Sequence, residues 1–268
     1  MRWCCKITSS VIALAIIGIF AALALHTFLP SLFQSLQAST KKPTVDFEQY
    51  VQSLYETIEL KKSGLDLDCF RYALVGYFNL KRRDAIKKEG LISIIDFRKP
   101  CHERRFYTID IAGRKVLYHT FVAHGRNSGD IYARRFSNIP GSLRSSLGFF
   151  VTGTTYHGEY GYSLYLNGME QGFNDKAKAR RIVVHGAYYV GSSMIQQYGK
   201  IGQSFGCPAL PAGPHITIID TIKGGTCLFQ FYDDKNYVAQ SPLFDVAGAA
   251  AQCATECLAV TQTKIPPR

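Results

Sequence analysis

The sequence predicts a mainly β fold of the α+β class, a sandwich or barrel-like domain behind an N-terminal helical extension. Three observations carry this. Apolar residues recur at helical spacing up to about residue 80, the period becomes strand-like from Leu91, and the later strands are short and separated by Gly-rich turns. No internal repeat is visible.

The elements follow in order. Arg2 and Lys6 precede an uncharged apolar run from Val11 to Leu25, and the next charged residue is Lys41. Residues 1–38 therefore read as a secretory signal, or as an uncleaved anchor if the run is counted from Ile7, and the polar stretch 31–45 (Ser31, Ser35, Ser39, Thr40, Pro43) reads as a linker. Cys4 and Cys5 precede the run and read as incidental flanking residues. Residues 39–90 read as a helical extension. Asp46 is a candidate N-cap with Gln49 three positions on, a capping-box variant, and Phe47, Tyr50, Val51, Leu54, Tyr55 and Ile58 fall on one helical face. A second helix is expected over 68–80, burying Phe70, Ala73, Leu74, Tyr77 and Phe78, with Lys81, Arg82 and Arg83 complementing its dipole.

From Leu91 the candidate strands are 92–96, 106–111, 116–122, 148–154, 162–166, 181–185 and 226–232. Ala112-Gly113-Arg114-Lys115 is a hairpin turn between the second and third, and a short helix is expected over 214–222. Residues 91–235 make up the β-rich domain and 236–268 a partly helical tail. Cys253 and Cys257 share one face of that tail, where helix geometry disfavours a strain-free bond. Export permits disulfides, and Cys69 could pair with Cys101, although sequence fixes no pairing.

Composition narrows the function. With 268 residues, 47% hydrophobic and 19% charged, the chain is an ordinary globular protein. Its net charge of +11 suits an anionic partner surface. The basic residues are scattered and accompany no RNP, zinc-finger or helix-turn-helix pattern, so no nucleic-acid partner is expected. His124, His157 and His185 could in principle ligate zinc, but no His-x-x-x-His or Cys-x-x-Cys spacing supports that, and no metal or organic cofactor is expected.

The chemistry concentrates in Val183-Val184-His185-Gly186 and Gly202-Gln203-Ser204-Phe205-Gly206-Cys207-Pro208. A histidine ends an apolar strand, and 22 residues later a cysteine stands in a Ser-, Gly- and Pro-rich turn. A cysteine nucleophile needs an imidazole to take its proton and free N–H groups to hold an oxyanion. Free cysteine more often packs as a small hydrophobe, which suits Cys69 and Cys227 inside apolar runs but not Cys207 between Gly206 and Pro208.

These residues resemble the active-site signature of YkuD-type L,D-transpeptidases, a histidine followed after a spacer by Ser/Thr-His-Gly-Cys. The similarity is closer to the murein L,D-transpeptidase catalytic domain subfamily, YkuD_2. It extends over Val122-Ala123-His124-Gly125-Arg126-Asn127-Ser128-Gly129, Ser145-Ser146-Leu147-Gly148-Phe149-Phe150, Arg181-Ile182-Val183-Val184-His185-Gly186-Ala187 and Ser204-Phe205-Gly206-Cys207-Pro208-Ala209-Leu210, within about Leu91 to Tyr232. The chain departs from the commoner pattern at Phe205, where a histidine is usual, and at Ala209, where an asparagine is frequent.

The resemblance implies a YkuD-like β-rich catalytic domain and an exported cysteine L,D-transpeptidase acting on peptidoglycan stem peptides through a Cys207 thioester. It implies His185 as the base and the Gly186 carbonyl as the group orienting its ring. Phe205 and Gly206, with Cys207 itself, become candidate oxyanion donors. Ser204, His124 and His157 are candidate substrate contacts, and His124 is the rival base. An activating imidazole is expected to lower the thiol pKa from about 8.5. The protein is expected to be a monomer in the periplasm or cell envelope, attached to the inner membrane if the N-terminal segment is retained. An L,D-endopeptidase using the same Cys-His site and a non-catalytic wall-binding protein are the alternatives.

Overall fold

In a computed structural model, which describes residues 46–262, eight short strands form one mixed sheet that curls into a nearly closed barrel. The signal or anchor, the linker, Cys4 and Cys5 fall outside the described residues, as does the Cys257 side chain. Among the described residues no helix is long and apolar enough to cross a membrane.

Two helices lead in. α1 (Phe47–Thr57) is capped by Asp46, whose carboxylate accepts from the Glu48 N–H at 3.0 Å. The cap is thus a single bond to the second helical N–H and does not form the box with Gln49. α2 (Leu67–Arg82) buries a nearly continuous face including Phe70, Leu74 and Phe78.

The strands are β1 (Leu91–Asp96), β2 (Phe106–Asp110), β3 (Lys115–Thr120), β4 (Gly148–Gly158), β5 (Gly161–Gly168), β6 (Val183–Ala187), β7 (Ala209–Pro211) and β8 (Cys227–Phe231). Their order is β3-β2-β1-β8-β4-β5-β6-β7. The β1/β8 and β6/β7 pairs are parallel and the others antiparallel. The chain after β3 returns to the far edge, where the Ala123 N–H donates to the Ala209 carbonyl at 2.9 Å. That contact leaves little of the β7 edge open.

The expected strand over 181–185 starts two residues late because Arg181 sits at φ 54, outside the extended region. The expected strand over 148–154 runs on to Gly158 through an irregularity between Thr152 and Thr155. β7 was not anticipated, being only three residues long. Nor were the short helices α3 (Ser192–Tyr198) and α5 (Lys235–Gln240), whereas α4 (Pro214–Ile222) occupies the expected span. α6 (Val246–Gln262) completes the described chain.

Strand alternation gives the central sheet one face for α2 and one for the barrel interior. Phe149 and Phe229 stack on the helix-facing side with centroids 4.0 Å apart, and Gly76 of α2 has no room for a Cβ against the Phe149 ring. Tyr72 meets Phe231 at 5.4 Å and Phe244 at 4.8 Å, while Asn79 Nδ2 donates to the Leu243 and Asp245 carbonyls. The entering helices and the residues after β8 therefore share one hydrophobic core with the sheet.

Cys69 and Cys101 are buried thiols and do not pair, which corrects the disulfide considered above; Cys227 is likewise a buried thiol. Burial pushes the Cys69 and Cys227 thiols far up, so both act as small hydrophobes.

Glu170 is fully buried, accepting from the Phe149 N–H at 2.6 Å, the Tyr237 hydroxyl at 3.1 Å and the Ser241 hydroxyl. Burial raises its pKa, which the three donors only partly oppose. The folded state therefore holds this proton more tightly than the unfolded chain, and Glu170 loses stabilising power as pH rises through and above the ordinary carboxylate value. Glu170→Gln is expected to lack that loss. Urea midpoints of the two proteins between pH 4 and 8 should diverge with rising pH in favour of the variant, and a gap independent of pH would contradict the assignment.

Candidate active site

Parallel pairing of β6 with β7 builds the site. His185 aligns with Ala209, which places Cys207, two residues earlier, beside Val183 at the start of β6. The Cys207 Sγ accepts from the Val183 N–H at 3.4 Å and donates toward the Arg181 carbonyl at 3.5 Å. That carbonyl is available because Arg181 leaves the ladder at its positive φ. The thiol thus lies in the turn two residues before β7, level with Val183 and two residues short of His185 along β6. In this arrangement no direct hydrogen bond joins it to the His185 ring.

The His185 ring is held on both sides. Its Nδ1 bonds the Gly186 carbonyl at 3.0 Å, which fixes the proton on Nδ1 and leaves Nε2 as the basic nitrogen. The Tyr160 ring, from the β4–β5 turn, lies over it with centroids 4.7 Å apart. Behind it, His215 in the first turn of α4 packs so closely on Gly186 that a Cβ there would enter the His215 ring. Packing therefore selects glycine at 186, whereas the carbonyl that holds the ring is common to every residue. Burial lowers the His185 pKa, the Gly186 carbonyl partly opposes this, and the nearby His215 adds to the lowering.

The cysteine loop is braced internally. Ser204 Oγ donates to the Cys207 carbonyl at 2.6 Å and accepts from the Gly206 N–H at 3.1 Å. Of the three backbone donors considered for an oxyanion, Gly206 is thus occupied, and the Phe205 and Cys207 N–H groups remain unpaired among the described residues. Gly206 adopts φ +123, and a Cβ there would stand 2.8 Å from the Arg144 carbonyl. Only glycine fits that turn. Phe205 is 58% exposed, so its side chain projects from the loop to the surface.

The other two histidines lie elsewhere. His124 is 1% exposed, with Nδ1 accepting from Arg105 Nη2 at 2.7 Å and Nε2 donating to the Gly129 carbonyl at 3.2 Å. Burial first and then Arg105 push its pKa down to about 4. Both ring nitrogens are in use, so the imidazole faces neither thiol nor groove. Its main chain still matters, since the His124 carbonyl accepts from the Ser204 N–H at 3.0 Å and the Arg126 N–H donates to the Ser204 carbonyl at 2.8 Å. His157 is exposed and packs 5.1 Å from the Tyr162 ring, on the face of β4 opposite Tyr156. The three histidines weighed for zinc do not converge, and among the described residues no acidic, His or Cys cluster is placed to hold a metal ion.

Burial raises the Cys207 thiol, with the Val183 N–H and the Arg180 guanidinium opposing. The lowered thiol expected from the sequence is not what this geometry gives, because the imidazole makes no contact that would stabilise a thiolate. The resting pair is a neutral thiol and a neutral imidazole, which suits general-base activation and not a preformed ion pair.

A groove of about 860 Å³ runs along β4, β5 and the entry to β6, and two of its lining residues, Arg181 and Val183, make the backbone contacts to the Cys207 sulfur. Tyr156, Tyr160, Tyr165 and Asn167 line it, with one carboxylate, Glu159, and two cations, Lys178 and Arg181. Neither of these cations has an acidic partner among the described residues. The groove supplies apolar ring faces for a backbone to lie along and positive charge for a carboxylate.

The YkuD_2 profile, described as the L,D-transpeptidase catalytic domain, matches residues 61–231, about two-thirds of the chain. The chain belongs to this family. It is a family of cysteine L,D-transpeptidases that act on peptidoglycan peptides of the cell wall. The L,D-transpeptidase domain so matched begins inside the segment read as a helical extension, in keeping with the core that α2 shares with the sheet.

Solved structures similar to the L,D-transpeptidase domain are distant. An L,D-transpeptidase from Mycobacterium smegmatis shares 13% identity, with 53% of this chain and 59% of that one covered and a TM-score of 0.33. Mycobacterium tuberculosis L,D-transpeptidase 1 shares 13%, over 53% and 61%, at 0.30. The helical cell shape determining protein Pgp2 from Campylobacter jejuni shares 13%, over 58% and 55%, at 0.35. The chain thus spans less than two-thirds of each, and no residue role rests on them. No curated protein matches the chain.

Sequence reasoning missed Tyr160, Arg180, His215 and the groove cations. Arg180 stood in the visible basic run Lys178-Ala179-Arg180-Arg181, but nothing local separated it from a solvated charge cluster. Tyr160 and His215 reach the site only through the β4–β5 turn and the α4 crossing.

Proposed function

We propose that this protein is an exported cysteine L,D-transpeptidase acting on peptidoglycan stem peptides. The observation that supports the reading is the pairing of β6 with β7, which brings the Cys207 turn to the strand that carries His185, a histidine whose Nδ1 is held by the Gly186 carbonyl. A stem peptide lies in the groove, its carboxylates toward Lys178 and Arg181, with a peptide carbonyl between an L- and a D-centre over the sulfur.

Rotation of the Cys207 side chain away from the Arg181 carbonyl brings Sγ toward His185 Nε2, which takes its proton. The sulfur adds to the carbonyl carbon, and the Phe205 and Cys207 N–H groups hold the resulting oxyanion. Collapse expels the D-residue amine, which receives the proton from His185, and leaves a thioester. An amine of a second stem then attacks the thioester and gives its proton to His185. The new peptide bond forms as the thiolate leaves and regains the proton. No step uses a metal or an organic cofactor. The chain acts as a monomer in the periplasm or cell envelope, with residues 1–38 directing export or holding it at the inner membrane.

Purified protein incubated with a defined tetrapeptide muropeptide and an acceptor stem is expected to give a crosslinked product with loss of the terminal D-residue. Tripeptide alone, with the acceptor unchanged, would replace transpeptidation by hydrolysis at the same cysteine. An unchanged donor, with no acyl-enzyme by mass spectrometry, would overturn the reading.

A further inference from the structure

Packed on the cysteine loop, and not among the residues that line the groove, stands a guanidinium with no counter-ion among the described residues. Arg180 is half-buried, and all four of its side-chain hydrogen bonds end on neutral oxygens. Nη1 donates to the Ser137 carbonyl and Ser146 Oγ, both at 2.5 Å, and Nη2 to the Arg144 carbonyl at 2.6 Å and Ser142 Oγ at 3.3 Å. It forms no ion pair among the described residues. A cation taken partly out of water without a carboxylate is costly, and burial lowers its pKa accordingly.

The position of this charge is specific. Nη2 lies 3.3 Å from where a Cβ of Gly206 would stand, and the Arg144 carbonyl that it holds lies 2.8 Å from the same point. The guanidinium is therefore packed against the residue preceding the nucleophile. The adjoining serines tie the same layer together. Ser145 Oγ accepts from the Gly125 N–H at 3.0 Å and donates to the Gly206 carbonyl at 3.4 Å, and Ser128 Oγ accepts from the Ser145 N–H at 2.9 Å. Ser145-Ser146 thus has a physical purpose, with one hydroxyl holding the loop and the other holding the cation packed on it.

We infer that Arg180 is a positioning residue for the reaction. Its unpaired guanidinium, fixed by the 137–146 segment against Gly206, supplies the positive charge that favours ionised sulfur at Cys207 and holds the loop that presents it. This inference rests on the transpeptidase reading above. His185 removes the proton, and Arg180 stabilises the charge left behind, acting through the loop at Gly206 from outside the groove lining. The charged and titratable groups bearing on the sulfur are Arg180 ahead of β6, Tyr160 from the β4–β5 turn and Tyr189 after β6, while the Lys178 and Arg181 side chains line the groove and His185 stands on β6. Of the three that bear on the sulfur, Arg180 is the one cation, and it carries its charge across the working pH range.

The test is the pH dependence of Cys207 alkylation by iodoacetamide in the full chain, followed for the Cys207 peptide by mass spectrometry. In Arg180→Gln the inflection is expected to move upward by about 1 pH unit, the effect of removing one nearby cation. Arg180→Lys, which keeps the charge but not the fork, should retain roughly half of the difference. With muropeptide, Arg180→Gln should lose about tenfold in kcat with KM little changed, matching the shift in thiolate population. Coincident alkylation profiles for wild type and a folded Arg180→Gln would overturn the inference. Should that variant lack a cooperative thermal transition, Ser142→Ala combined with Ser146→Ala frees the cation from two of its tethers. The profile must then still move upward, and an unmoved one overturns the inference equally. The alkylation readout needs no substrate, so it stands apart from the proposed function, which falls instead if Cys207→Ala turns over muropeptide.

Discussion

Replacing Cys207 by Ala is expected to reduce muropeptide turnover by a factor on the order of 10³ or more, with the thermal transition nearly unchanged. The sulfur is the proposed nucleophile, and its contacts, a 3.4 Å bond from the Val183 N–H and a 3.5 Å bond to the Arg181 carbonyl, are long and weak. Losing them costs little stability, because the loop is held by Ser204 and by the bridge to Gly125. Substitutions of Cys69, Cys101 or Cys227 should act in the opposite sense, lowering stability through lost core packing while leaving turnover per folded molecule intact. Turnover assays alongside urea unfolding separate the two groups. Full activity in Cys207→Ala would remove the thioester mechanism.

Replacing His185 by Ala is expected to lower kcat by about 10²–10⁴-fold, the usual range for a general base. Because burial lowers its pKa, the base form is already present below the ordinary histidine value of about 6.5. The acid limb of the wild-type kcat/KM profile should therefore lie below that value, with activity falling as pH drops through it, and the limb should vanish in His185→Ala. His124→Ala should behave differently. It removes one of the two acceptors of Arg105 Nη2, leaving only the Val122 carbonyl, and opens a gap in the interior, so stability falls while the acid limb stays in place. An acid limb that disappears with His124 and persists without His185 would assign the base to the wrong strand.

Much of the architecture was legible because it is local. The helical faces of Phe47 to Ile58 and Phe70 to Phe78, the short apolar runs of β1 and β2, and the turn at Gly113 are set by side-chain pattern and turn chemistry within a few residues. The ends of elements were less legible. Arg181 reads as strand by composition, yet its left-handed backbone follows from the need to turn into β6 beside the cysteine loop. The three residues of β7 are too few to carry a period, and they become a strand only because β6 and Ala123 lie on either side.

The sequence by itself determined the chemistry of the candidate site. A cysteine in a Ser-Phe-Gly-Cys-Pro turn and a histidine at the end of an apolar strand limit the reaction class, because nucleophilicity and basicity belong to residue types. Only the tertiary structure decided which groups serve that chemistry. His124 and His185 stand in similar His-Gly contexts, yet one is sealed between Arg105 and Gly129 while the other has its Nδ1 fixed beside the groove. Arg180 and Arg181 are adjacent in the chain, yet one braces the loop while the other lines the groove. Solvation, partner and field depend on what the fold brings within a few ångströms, and that is set by strand order and not by neighbours along the chain.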